Sequence, residues 1–128
     1  MQVLLDTHAI LWWALDDPRL SYQARNLIAS FQAEVLVSAA SAWEISTKVR
    51  LGKLPEAEMF VDNFTPNVSR MGFQELAVTL EHGCRAGSLL GHHKDPFDRM
   101  LIAQALALNI PIISCDGVFD RYGVRRIW

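Results

Sequence analysis

Residues 95–116 read DPFDRMLIAQALALNIPIISCD, and this stretch predicts a helix followed by a short strand. Asp95 followed by Pro96 is a favourable helix start, because the carboxylate caps free N–H groups and proline lacks the donor that its position leaves unpaired. Helical spacing of apolar residues continues to Asn109, and residues 111–115 form a short apolar run typical of a buried strand. A helix that leads directly into a strand indicates an α/β domain.

The rest of the chain alternates between strand-like and helix-like segments in the same way. The polar segment 54–70 contains Pro55 and Pro66, so we expect a loop after its short helix. Strands separated by helices predict an α/β fold, with helices on both faces of a mainly parallel sheet of four to five strands. The further predicted strands are residues 3–5, 34–38, 73–78 and 124–127, and the further helices are residues 8–15, 21–31, 40–52, 56–64 and 80–90.

Composition indicates one ordinary domain, residues 1–128. Half of the residues are hydrophobic (51%), which is enough for one core, and the chain is too short for two domains. The net charge of −2 indicates neither a nucleic-acid partner nor a disordered chain. Two cysteines, Cys84 and Cys115, make neither a disulfide framework nor a zinc site, so we expect a reduced, cytoplasmic protein. Asp6 interrupts the N-terminal apolar run, so we expect neither signal peptide nor membrane span.

Acidic residues recur where the predicted strands end and where helices begin. Open α/β sheets bind ligands beyond the carboxyl ends of their strands, so acids at these points should converge on one edge of the sheet. We call this group the acidic rim, and its members are Asp6, Glu44, Asp95, Asp98 and Asp116.

Several of these acids also have a purely structural explanation. Asp6 is placed to cap the helix that comes after it. Glu44 stands three residues after Ser41, the spacing of a capping box, and four before Lys48, the spacing of a helical ion pair. Asp116 precedes a glycine, as turn residues do.

Asp95 and Asp98 divide by role in this interpretation. Asp95 builds the helix start, although it is close enough to serve as an outer acid of a site. Asp98 is the third helical residue and projects over an apolar stripe predicted to face the sheet, formed by Leu101, Ile102 and Ala105. An acid at the start of an inward-facing apolar stripe is not typical of a solvated surface charge. We therefore expect Asp98, rather than Asp95, to have the functional role.

Taken together, the acids of the rim predict a cation. Several carboxylates at one edge repel each other, and burying an unpaired charge costs several kcal/mol. Oxygen-only ligands favour a hard divalent ion, Mg²⁺ or Mn²⁺, over zinc. Such an ion polarises a phosphate oxygen and generates hydroxide from bound water, which is the chemistry of phosphodiester hydrolysis.

Four sequence blocks resemble the PIN-domain ribonucleases, most closely the VapC-type toxins of bacterial toxin–antitoxin pairs. They are LLDTHAILWW (4–13), SAASAWEISTKVRLGKL (38–54), HHKDPFDRMLIAQAL (92–106) and IISCDGVFDRYGV (112–124). Each block carries an acid, and together they sample nearly the whole chain in the family's order. The resemblance implies a PIN-like three-layer α/β/α sandwich and a metal-dependent endoribonuclease.

The resemblance also implies roles for individual residues. The family's four acidic positions fall on Asp6, Glu44, Asp98 and Asp116. By this analogy, Asp6 and Asp98 bind Mg²⁺ or Mn²⁺ directly, and the other two complete the shell directly or through water. Thr7 and Ser114 match hydroxyl positions that orient the acids or the attacking water.

Two protein partners are implied as well: a second copy, forming a homodimer, and a cognate antitoxin that inserts a segment into the acidic groove. An arginine in such a segment would pair with the carboxylates. The four tryptophans, Trp12, Trp13, Trp43 and Trp128, are candidates either for these interfaces or for the core.

The RNA substrate is negatively charged, so basic side chains near the rim must offset repulsion. The candidates for RNA contact are Lys48, Arg50, Lys94 and Arg121, with Lys53, His92, His93, Arg125 and Arg126 as further members; each is also explained as a solvated surface charge. The adjacent histidines have no matched Cys or His partners, so they do not make a tetrahedral zinc site.

Three alternative functions remain to be weighed. A Mg²⁺-binding receiver domain needs an acid pair after its first strand, where this chain has Asp6-Thr7-His8. A haloacid-dehalogenase-like phosphatase needs an Asp at position 8. A PIN-fold binding or regulatory module without activity is not excluded by fold, although all four acidic positions are filled.

Overall fold

The sheet has five parallel strands in the order β3-β2-β1-β4-β5. In the computed structural model, which describes residues 1–128, the strands are β1 Gln2–Leu5, β2 Glu34–Ser38, β3 Gln74–Leu76, β4 Ile112–Ile113 and β5 Arg126–Ile127. All four neighbouring pairs are parallel, so the carboxyl ends of the strands share one edge. The predicted α/β architecture and the strand number are confirmed.

Most helices begin at a residue whose side chain accepts a hydrogen bond from the first turn. Such N-caps are Asp6, Ser21, Ser38, Thr79 and Asp95. The helices are α1 Thr7–Ala14, α2 Tyr22–Ala29, α3 Ala39–Arg50, α4 Glu58–Asp62, α5 Phe64–Arg70, α6 Leu80–Ser88, α7 Pro96–Leu108 and α8 Val118–Arg121, with a 3₁₀ turn at Pro55–Ala57. None of them is long and apolar enough to cross a bilayer.

Two hydrophobic cores lie on opposite faces of the sheet. In β1, Val3 and Leu5 point into one core and Leu4 into the other, because successive strand side chains alternate between faces. The first core is covered by residues of α1, α2, α3 and α5, and the second by α7 and α8. The result is a three-layer α/β/α sandwich.

Helix α7 places its apolar stripe as the sequence predicts. Leu101, Ile102 and Ala105 are buried in the second core, beneath the sheet residues Leu4 and Ile112. Fully burying a Leu or Ile side chain stabilises by about 1.5–3 kcal/mol, so this face fixes how the helix sits on the sheet.

Two details of the prediction are wrong for local reasons. The helix predicted over residues 21–31 ends at Ala29, and Phe31 is 101% exposed, because the chain turns at Ser30 to bring Glu34 beside Gln2. The loop expected around Pro66 is helix α5 instead. Pro66 is its third residue, where the N–H has no partner within the helix, so proline is tolerated there.

Strand β4 is shorter than its predicted range of 111–115. It ends at Ile113, because the Ser114 hydroxyl turns inward and accepts a hydrogen bond from the Asp116 N–H at 3.0 Å. A serine hydroxyl that binds the backbone two residues ahead starts a turn, which brings Asp116 back toward the end of β1.

Candidate active site at the acidic rim

Asp6 lies at the carboxyl end of β1 and is only 6% exposed. Its N–H donates to the Ile113 carbonyl at 3.1 Å, so Asp6 and Ser114 are side by side across β1 and β4. One carboxylate oxygen caps α1 by accepting from the Ala9 N–H at 2.9 Å, and the other accepts from the Ser114 hydroxyl. The capping interpretation is therefore correct, yet it occupies only one oxygen of this buried acid.

Burial dominates the electrostatics of Asp6. Desolvation raises the pKa of its carboxyl, the hydrogen bonds from Ser114 and Ala9 and the nearby His8 lower it, and repulsion from Asp116 raises it again. The net direction is upward, so the charged form of Asp6 is held at a cost that a cation would relieve.

Glu44 is buried in α3 and is held by side chains rather than by a capping box. The Thr7 hydroxyl donates to Glu44 Oε1 at 2.6 Å and lies 3.3 Å from the Ser41 hydroxyl. Lys48 Nζ lies 2.5 Å from Glu44 Oε2, which is the helical ion pair that the spacing predicts. The N-cap of α3 is Ser38 rather than Ser41, so the proposed capping box is wrong, because the helix begins three residues earlier.

Asp98 lies in the first turn of α7, with 24% of its side chain exposed. Its Oδ2 lies 2.9 Å from Nε2 of His93, a contact that the sequence did not indicate. Burial raises the pKa of the Asp98 carboxyl, the His93 hydrogen bond lowers it, and repulsion from Asp95 and Glu44 raises it. Helices α3 and α7 contact each other, and Glu44 is close enough to Asp98 for its charge to raise this pKa.

The remaining acids stand at the margin of the rim. Asp116 is exposed, and its Oδ1 accepts from the Val118 N–H at 3.0 Å. Asp95 Oδ1 accepts from the N–H groups of Phe97 and Asp98 at 2.9 and 3.1 Å, as a helix cap does. No three His, Cys, Asp or Glu side chains are arranged as a ligand set for a metal ion. The rim instead places Asp6 near Asp116 and Asp98 near Glu44.

Arg99 is a structural residue of the rim that sequence reasoning missed. Its guanidinium donates to the carbonyls of Ala86, Leu89 and His93 at 2.6–3.1 Å. These bonds join the end of α6 to residues 89–93, the loop that carries His93 to Asp98. An arginine directly after an acid gives no spacing signal for contacts with a distant loop.

The predicted RNA-binding residues occupy different places. Lys48 lies at the rim through Glu44, and Lys94 and Arg121 are exposed on segments adjoining it. Arg50 ends α3, roughly 16 Å along the helix from its rim end, so the structure does not bring it to the acids. Arg125 lines a cavity with Asn109 and Pro111, where the chain enters β4, which is the opposite edge of the sheet.

The tryptophans and cysteines divide between core and surface. Trp12 and Trp13 pack against the first core, and Trp12 contacts Trp128 with tilted rings at 5.7 Å between centroids. Trp43 is 64% exposed and contacts Phe97 edge-on at 4.9 Å between centroids. Both cysteines are exposed and free.

Comparisons with known proteins agree with this architecture. Over 69 residues the chain is 38% identical to Ribonuclease VapC16 of Mycobacterium tuberculosis, a match that covers 51% of this chain and 49% of that protein. The chain thus spans about half the length of this curated relative.

Solved structures match over nearly the full length. VapBC2 from Rickettsia felis, bound to a DNA fragment from its promoter, has a TM-score of 0.73 at 18% identity and covers 99% of this chain and 98% of its own. FitAcB from Neisseria gonorrhoeae has a TM-score of 0.67 at 16% identity, with coverages of 98% and 96%. At these identities the likeness concerns the fold.

The family comparison is independent of those structures. The model of the PIN domain matches residues 3–125, a range that includes all five acids of the rim and ends one residue before β5. The chain therefore belongs to the PIN domain family.

Proposed function

We propose that the protein is a Mg²⁺- or Mn²⁺-dependent endoribonuclease, the toxin of a type II toxin–antitoxin pair. The observation that carries the proposal is that Asp6, which is 6% exposed, and the half-buried Asp98 lie at the carboxyl edge of the sheet with no lysine or arginine partner. Burial and neighbouring acids raise the pKa of both, in keeping with this environment. Helix capping explains one oxygen of Asp6 and none of Asp98, and a bound cation would offset the cost of burying both charges.

The donor set fits a hard divalent cation. Mg²⁺ is commonly held by one or two carboxylates and by several waters, so it does not require the ligand set of three side chains that the rim lacks. Asp6 and Asp98 would be its direct ligands, and Glu44 and Asp116 would act directly or through water. When bound, the ion would polarise a phosphate oxygen and lower the pKa of a bound water, which supplies the nucleophile for hydrolysis.

Protein side chains would orient this chemistry. The Ser114 hydroxyl orients the oxygen of Asp6 that does not cap α1, and the Thr7 hydroxyl orients Glu44. Lys48 neutralises Glu44 and so weakens its repulsion of an anionic phosphate. Asp95 would support the site by building the start of α7, which carries Asp98.

The proposal includes an antitoxin, a homodimer and a cytoplasmic setting. A similar structure from Klebsiella pneumoniae is a toxin–antitoxin complex, which supports an antitoxin here. An apolar cavity of 440 Å³ lies between α3, α6 and α7, and exposed Trp43 forms part of its wall. Apolar surface with an exposed aromatic residue is typical of a protein interface. The free cysteines are consistent with a reducing compartment.

RNA cleavage by purified, antitoxin-free protein tests the activity. We expect cleavage with Mg²⁺ or Mn²⁺ and none in EDTA. Asp6→Asn and Asp98→Asn should each lose at least about 100-fold, because loss of a direct ligand should cost no less than the roughly 10–100-fold of an outer-shell partner. Asp62→Asn, a change of an exposed acid in α4, is the matched control and should cleave as wild type. Equal cleavage by all four proteins across a broad RNA panel would refute the nuclease and favour an inactive PIN-fold binding module, an alternative consistent with the closed Lys48–Glu44 pair.

A further inference from the structure

A cavity of 780 Å³ opens between the loop before α7 and helix α8. The loop contributes Leu90, Gly91, His92 and His93, and the helix side contributes Val118, Arg121 and Tyr122. We call it the α8 cavity. Its volume is within the range of about 300–1,000 Å³ found for small-molecule sites.

Two wall residues of the α8 cavity bond directly to acids of the rim. His93 Nε2 contacts Asp98 Oδ2 at 2.9 Å, and the Val118 N–H donates to Asp116 Oδ1 at 3.0 Å. The cavity is therefore directly adjacent to the candidate metal ligands. A polymer with one phosphate at the acids would have to pass over this cavity or leave in the opposite direction.

Arg121 gives the cavity a cation that no protein group neutralises. Its side chain is exposed and takes part in no ion pair, whereas Arg126 is bound to Asp120 at 3.0 Å and Arg99 is used by backbone carbonyls. Among the arginines near the rim, Arg121 is thus the one available to a ligand. A free guanidinium beside an acidic site suits a phosphate, which it can bind through two parallel hydrogen bonds.

Flat rings line the same cavity. Tyr122 lies against the backbone of Gly91, where an added Cβ would come within 2.7 Å of the phenol oxygen. Gly91 also has a φ of +105°, a conformation that suits glycine, so the loop and the ring fit each other closely. The exposed imidazole of His92 completes the wall. Aromatic faces beside a cation are the combination that binds single-stranded nucleic acid, through base stacking and phosphate pairing.

We propose that the α8 cavity is a nucleotide subsite, which holds the residue of single-stranded RNA next to the phosphate at the acidic rim. The inference rests on the proposed ribonuclease function and specifies its substrate as an unpaired strand. Arg121 pairs with the adjoining phosphate, and Tyr122 and His92 contact the base. An acidic protein segment would use the cation but not the rings, so RNA is the better occupant.

Binding of a short fluorescein-labelled single-stranded RNA of mixed sequence, in EDTA and at low ionic strength, tests the subsite. We expect Arg121→Ala to raise Kd roughly tenfold, the effect of losing a hydrogen bond to a charged group. The slope of log K against log salt should fall by about 0.7, as for one lost phosphate contact on a single strand. Arg125→Ala is the matched control, because Arg125 is equally exposed but lies at the opposite edge of the sheet, and should leave both quantities unchanged.

The outcomes separate this inference from the nuclease itself. Equal RNA affinity of Arg121→Ala and Arg125→Ala, in a protein that still cleaves RNA, overturns the subsite alone. The expected difference in affinity, in a protein that cleaves no RNA, supports the subsite and refutes the nuclease. Competition with polyglutamate is a further test. If polyglutamate displaces the labelled RNA as effectively as unlabelled RNA of equal charge, the subsite is overturned and the cavity is assigned to an acidic protein segment.

Discussion

Asp95 and Asp98 are three residues apart in sequence but have different surroundings. Asp95 places one oxygen on two backbone N–H groups of α7, while the nearest partner of Asp98 is the imidazole of His93. A carboxylate that satisfies helix N–H groups is explained by the helix. Asp98 has no such explanation, and its position beside Glu44 makes it the acid that a metal would bind.

Substitutions at the two positions should therefore have opposite effects. Asp95→Ala removes the cap and should lower the free energy of unfolding by about 1 kcal/mol while cleavage persists. Asp98→Asn should abolish cleavage with the folded structure retained. Urea denaturation and an RNA cleavage assay on each variant measure both quantities. Loss of cleavage in Asp95→Ala with activity retained in Asp98→Asn would reverse the assignment.

Helices α3 and α7 carry Glu44 and Asp98, and a buried hydrogen-bond network joins the start of α3 to Gln104 in α7. The fully buried Gln104 of α7 accepts from the Ser38 hydroxyl, the N-cap of α3, at 2.6 Å. Its amide lies 3.2 Å from the Ala77 carbonyl and 3.3 Å from His82 Nδ1 of α6. The network joins the starts of α3 and α6 to the body of α7, the helix that carries Asp98.

Gln104→Met keeps a similar volume but removes these hydrogen bonds. We expect a loss of about 1–3 kcal/mol in unfolding free energy, because the fully buried Ser38 hydroxyl is left without its acceptor. Gln23→Met, on the exposed face of α2, is the control and should change stability by no more than about 0.5 kcal/mol. If denaturant titrations give the same unfolding free energy for both variants, the network contributes nothing to stability.

Elements and rim could be predicted because their causes are local. Asp6, Asp95 and Pro96 mark helix starts in the sequence itself, and parallel strands necessarily gather the residues at their carboxyl ends along one edge. The bond from Ser38 to Gln104 spans 66 residues, and a glutamine within an apolar helix gives no indication of its partner. The His93–Asp98 contact depends on the path of the loop held by Arg99, which no periodicity encodes.

At the scale of the whole molecule, the fold concentrates negative charge at one edge although the net charge is only −2. Only some of the acids are neutralised by basic side chains. Lys48 pairs with Glu44 and Arg126 with Asp120, while Asp6 and Asp98 have no arginine or lysine partner. The stability of the metal-free protein should therefore depend on pH, and added divalent ions should increase it.

The pKa of Asp98 is raised above its ordinary value of 3.8, mainly by burial. Its contribution to stability is therefore complete below pH 3.8 and is lost as pH rises through the raised value. In EDTA at pH 7, Asp98→Asn should then be more stable than wild type, and the difference should shrink as the pH approaches 3.8. Thermal unfolding across this range measures it, with Asp62→Asn as the exposed control.

Mg²⁺ should reverse this order at pH 7, because an ion bound only by the folded state stabilises it by about 2.7 kcal/mol at 100 times its Kd. The Tm of wild type should rise accordingly when Mg²⁺ is added. The Tm of Asp98→Asn should change little, since the variant lacks a direct ligand. A Mg²⁺-induced rise in Tm of equal size in both proteins would place the ion elsewhere than at Asp98. A variant less stable than wild type in EDTA would show that the His93 contact outweighs the cost of burying the charge.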